Sequence, residues 1–105
     1  MAQYDVYTNP LRQSRQFVPF VVDVQSTLMD QLATRLVLPL SRVGSMMPHL
    51  PVNLCPVVSV EGERLTIQPH LAAPVAASLL KNPVTNLHSR ASEIASALDA
   101  VISGV

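Results

Sequence analysis

Only three of the 105 residues are glycine, at positions 44, 62 and 104. That scarcity excludes a glycine-rich loop that would cradle a phosphate. A single cysteine, Cys55, excludes an intramolecular disulfide. It fits a reducing compartment better than a secreted scaffold. Charged residues make up 13% of the chain, and the seven basic residues cancel the seven acidic ones. A protein held by nucleic-acid phosphates needs a surplus of Lys and Arg, so no direct nucleic-acid binding is expected. No window reaches the roughly 18 uninterrupted apolar residues of a membrane span. The opening MAQYDVYTNP lacks the basic patch and apolar run of a secretory signal. A soluble, cytoplasmic protein is the expectation.

Apolar residues, by contrast, are plentiful: 49% of the chain is hydrophobic. A chain of this length supports one domain and one core, spanning 1–105. Part of so much apolar surface is expected to be buried against a second chain. The simplest such partner is another copy, because closed two-fold pairs dominate soluble oligomers.

Tyr4 to Thr8 alternates and is β-prone, and Asn9-Pro10 breaks it. Phe17 to Gln25 reads as a long strand with an irregular start at Pro19. Ser26 to Thr34 is a polar connector interrupted by the apolar pair Leu28-Met29. Arg35 to Leu40 is the next strand, with Pro39 placing its end near a bulge or edge. Ser41 to Met47 is read as a helical turn. Leu54 to Val60 and Arg64 to Gln68 form a hairpin about Glu61-Gly62-Glu63. Pro69 to Pro74 reads as a loop and Val75 to Leu80 as a last strand, stopped by Lys81-Asn82-Pro83.

The period then changes. Leu87, Ala91, Ile94, Leu98, Val101 or Ile102, and Val105 recur at spacings of three and four, which predicts an amphipathic helix. Asn86 or Ser89 is positioned to cap its start, and Gly104 its end. The fold class is therefore mainly β with a C-terminal α-helix.

Residues that carry chemistry are sparse. His49, His70 and His88 lack metal-ligand spacing, so no metal or cofactor is expected. Cys55, beside Pro56 in an apolar strand, reads as a buried structural thiol. Asp23 and Asp30 are either paired carboxylates or turn-capping acceptors. Binding rather than catalysis is the expected activity.

The order of motifs resembles the CcdB family of toxins. The resemblance begins at Val6-Tyr7-Thr8 and runs through VDVQS at Val22 to Ser26. Arg35, Val37, Pro39 and Leu40 follow, then LCPVV at Leu54 to Val58, Pro74-Val75, Leu87, Arg90 and Ile94. Gly104-Val105 stands where the family has Gly and an aliphatic residue. The resemblance implies a small antiparallel barrel of SH3-like character with one C-terminal helix, assembled as a homodimer whose two helices lie side by side. It implies a toxin that is no catalyst. The dimer enters the DNA gyrase A-subunit dimer and traps gyrase on cleaved DNA, and a CcdA-like antitoxin neutralises it.

The family's gyrase contacts fall on Leu28 and Met29 in the connector, and on Asp99, Ile102, Ser103, Gly104 and Val105 at the helix end. Each residue also has a plainer reading. Leu28 or Met29 would plug the barrel end, Ile102 would belong to the core stripe, and Gly104 would be only a cap. Well-known family members carry Trp where this chain has Ser103, and an amide where it has Asp99. Two other readings stay open: a degenerate toxin copy that binds antitoxin but not gyrase, and a ribonuclease toxin on the related MazF-like barrel. The second would use Asp23 and Arg35.

Overall fold

A computed structural model describes residues 2–27, 31–42 and 54–103. Seven strands form among them: β1 (Asp5–Thr8), β2 (Phe20–Asp23), β3 (Thr34–Arg42), β4 (Val57–Val60), β5 (Glu63–Ile67), β6 (Ala73–Ala76) and β7 (Thr85–Asn86). Helix α1 (Ala91–Ser103) follows. Every pairing is antiparallel, in the order β4-β5-β3-β2-β1-β7, with β6 also on β3. The result is a nearly closed, barrel-like sheet with one C-terminal helix.

The long strand β3 organises this sheet. One edge takes β2, from Phe20↔Leu40 to Asp23↔Val37. The other edge is divided, with Thr34 to Val37 pairing β6 and Leu40 to Arg42 pairing β5. Pro39 sits where that edge changes partner. Its carbonyl accepts from Gln68 N–H at 3.1 Å, so its absent N–H faces the gap between β6 and β5. Proline is tolerated here because no ladder donor is needed. The strand consequently does not end near Pro39, and Ser41 and Arg42 extend it by pairing with Thr66 and Leu65. The rest of the expected helical turn, 43–47, lies outside the described residues.

The β4–β5 hairpin closes through Glu61 and Gly62, with φ of 51° and 80°. Two left-handed residues between Val60↔Glu63 make the turn whose twist suits a tight hairpin. Further on, the expected boundaries move. Pro69–Leu71 is a short 3-10 turn, β6 begins at Ala73, and Ala77–Leu79 is a second 3-10 turn. Strand β7 is only two residues long, too short for a periodicity to announce it.

Alternation along the strands gives the sheet two apolar faces. Val6, Val22, Val24, Leu38, Leu40, Val58, Val60, Leu65 and Ile67 pack together with Leu87 and Ile94 from the helical end. Burying one such aliphatic side chain contributes about 1.5–3 kcal/mol. The opposite face holds the smaller cluster of Tyr7, Val21, Val37 and Leu80, against which Val75 packs. Arg90 fixes the start of the helix to β4, donating from Nη2 to the Val57 carbonyl at 3.0 Å. Asn86 Oδ1 accepts His88 N–H at 2.7 Å, an Asx turn at the entry to the 3-10 turn His88–Arg90 that leads into α1.

Candidate partner-binding site

The apolar stripe of α1 does not stay in the core. Ile94 and Ala97 are fully buried and Leu98 is half-buried, but Val101 is 43% exposed and Ile102 82%. The helix outruns the sheet it packs on, and its last turn carries apolar side chains into solvent. Asp99 and Ser103 are exposed on the same turn. Ser103 Oγ donates to the Asp99 carbonyl at 2.6 Å, a bond back to residue i−4 that satisfies the hydroxyl locally. The last turn has no basic residue, and Asp99 brings negative charge to the negative end of the helix dipole. Apolar exposure and an unfavourable charge at one helix end are local conflicts of the kind found where a surface serves a partner. Gly104 and Val105 lie outside the described residues.

Leu28, Met29 and Asp30 also lie outside them, but both stems of their connector are described. On the incoming side, Asp23 Oδ1 accepts Gln25 N–H at 3.0 Å, which bears out the turn-capping reading of Asp23. The other carboxylate oxygen meets Arg35 Nε at 2.8 Å, and the two side chains are 0% and 1% exposed. Arg35 Nη2 also donates to the Gln25 carbonyl at 3.3 Å. Gln25 Oε1 in turn accepts Leu36 N–H at 3.0 Å. On the returning side, the Ala33 carbonyl accepts Ala77 N–H at 2.8 Å, and Leu32 is 47% exposed. The sequence brings Asp23 and Arg35 together only as candidates for a ribonuclease, not as an ion pair. Twelve residues apart on different strands, they carry no spacing signal that would have joined them.

With this geometry stand the comparisons with known proteins. The family model described as CcdB protein matches residues 3–104. The chain belongs to the CcdB family. No curated protein sequence matches it. Membership makes it a toxin of a toxin–antitoxin system, with the toxin–antitoxin partnership that this implies. Among the described residues, no helix is long and apolar enough to cross a membrane.

In this CcdB chain the Asp23–Arg35 pair is enclosed and internally bonded, so neither residue reaches a substrate from its observed position. A ribonuclease built on these two side chains would first have to break the pair. Cys55 is buried, and burial pushes its thiol up, away from the thiolate a nucleophile needs. His70 and His88 are exposed, His88 lying 6.1 Å from the Tyr4 ring, and His49 lies outside the described residues.

Tyr7 packs on the same face as the ion pair. Burial first, then the charges of Asp5 and Asp23, push its hydroxyl up to about 12, with Arg35 opposing. The neutral phenol is thus favoured by folding. Its contribution is complete below the unfolded value near 10 and is lost as pH rises through the folded value of about 12. Wild-type stability is expected to fall by roughly 2–3 kcal/mol more than that of Tyr7→Phe across this window. Urea midpoints of both proteins at either end of the window check this. Parallel losses would mean that Tyr7 is not the responsible group.

Proposed function

We propose that this CcdB-family toxin binds the A subunit of DNA gyrase and traps the complex of gyrase with cleaved DNA. The observation that carries the reading is Ile102, 82% exposed on the last turn of α1 beside half-exposed Val101. An apolar tip of this sort suits the dry centre of a protein interface. A chain without net charge suits a protein partner better than a nucleic acid. The proposed contact set is Leu28, Met29, Asp99, Ile102, Ser103, Gly104 and Val105. The acting form is a homodimer of single-domain chains, working in the cytoplasm and neutralised by a CcdA-like antitoxin.

The test is plasmid cleavage by purified gyrase with and without the protein, denaturing the complexes before electrophoresis. Protein-dependent linear DNA is the expected result. Failure to produce it with the host's own gyrase, at protein well above micromolar, would sink the reading. A second reading, a degenerate copy that binds antitoxin alone, would then take its place. It draws on Ser103, whose hydroxyl is already bonded to Asp99 and which offers little surface where other family members carry Trp.

A further inference from the structure

The ladder between β2 and β3 ends at Asp23↔Val37, yet the chain beyond it is not released. Val24 N–H still reaches the Leu36 carbonyl at 3.0 Å, and Gln3 Nε2 holds the Val24 carbonyl at 3.1 Å. At Gln25 the contacts between the two segments run through side chains. Three groups of this residue are each bound by a different partner. Its N–H goes to the Asp23 carboxylate, its C=O receives the Arg35 guanidinium, and its side-chain carbonyl accepts Leu36 N–H. Arg35 and Asp23 are in turn locked to each other in an almost fully buried pair.

A buried ion pair is weak support for stability, because desolvating both charges offsets their attraction. Its better-attested use is to fix one arrangement among several. Here the arrangement fixed is the separation and direction of the two chain segments from which the connector 26–34 departs and to which it returns. We propose that Asp23, Gln25 and Arg35 are positioning residues for partner binding. Together they form a side-chain clamp that fixes the stems of the connector carrying Leu28 and Met29. The proposal rests on the gyrase reading above for the identity of the partner. The residue that transmits the clamp is Gln25, which is bonded to both strands and to the ion pair.

Gln25→Met is the test. It keeps the length of the side chain and removes its amide, and with it the carbonyl that holds Leu36 N–H, at a half-buried position outside the sheet ladder. Amide exchange at residues 26, 27 and 31–34 is expected to quicken about tenfold, while exchange in β1 and β5 is unchanged. Affinity for a gyrase A-subunit fragment is expected to fall about tenfold, mainly through a slower association rate, because a looser connector is competent for less of the time. A lost contact would show instead as faster dissociation. Connector exchange equal to wild type would overturn the proposal. So would faster exchange with undiminished gyrase affinity. Leu28→Ala in the otherwise unaltered protein separates the two claims. If it leaves gyrase binding intact, the connector is not a contact and the functional reading of Leu28 fails, along with the clamp's role in binding. If Leu28→Ala weakens binding and Gln25→Met does not, the contact stands and the clamp alone is wrong.

Discussion

Arg35→Met is expected to destabilise the protein by about 3–5 kcal/mol, because it leaves a carboxylate in the interior without its counter-charge. Asp23 is 0% exposed and meets Arg35 Nε at 2.8 Å, so water cannot replace the lost guanidinium without opening the sheet. Set against a total stability of ~5–15 kcal/mol for an ordinary domain, the loss is a large fraction. The double variant Asp23→Leu with Arg35→Met removes both charges together, and it is expected to recover most of the loss. Urea denaturation of the two single variants and the double variant supplies the cycle. Single variants within 1 kcal/mol or so of wild type would mean that the pair is hydrated and not the closed contact described. A double variant as unstable as Arg35→Met would mean that the cost lies in packing rather than charge.

The second large effect is a gain. Ser103→Trp is expected to tighten binding to the gyrase A subunit by roughly thirtyfold, the equivalent of ~2 kcal/mol for an interface tryptophan. The serine is exposed and its hydroxyl is bonded to the Asp99 carbonyl, so it contributes little surface to a partner. An indole at the same position would add contact area beside Ile102 without touching Ile94 or Ala97, which hold the helix to the core. Thermal stability should therefore barely move while affinity rises. Titration of a gyrase A fragment by calorimetry, with Ser103→Ala as the control, reads the effect. If wild type binds and Ser103→Trp binds no better, position 103 lies outside the interface.

Several parts of this architecture were legible in the sequence, for identifiable reasons. The β-prone runs at Tyr4 to Thr8 and Leu54 to Gln68, and the helix after Leu87, follow from local periodicity and turn chemistry. Structure bears them out as β1, β4, β5 and α1. What was not legible depends on partners distant in sequence. Pro39 looked like a strand end because the gap between β6 and β5, which makes it harmless, exists only in the assembled sheet. Ser41 and Arg42 are strand only because Thr66 and Leu65 lie beside them. Strand β7 owes its two residues to β1, some eighty positions earlier in the chain. Ile102 obeys the same spacing as Ile94, yet one is 82% exposed and the other 0%. The three-and-four spacing alone does not separate them: Ile102 lies about 80° round the helix from Ile94 and on its last turn, past the sheet. Asp23 and Arg35 likewise became a pair only through the β2–β3 register.

The pairing of β1 with β7 also fixes when the protein can exist as a folded object. Asp5 finds Asn86 and Val6 finds Thr85, and the face bearing Val22, Leu38 and Leu65 is covered by Ile94. On the ribosome, the strands at Asp5 to Arg42 therefore emerge with their main apolar face uncovered, and they stay so until residues 85–98 have been made. Such non-local closure is slow and leaves apolar surface open while it waits. The last turn of α1 is synthesised after everything it stands on. Each newly made chain thus stays unassembled until its helix has emerged, and harmful activity of the kind proposed would begin only after that.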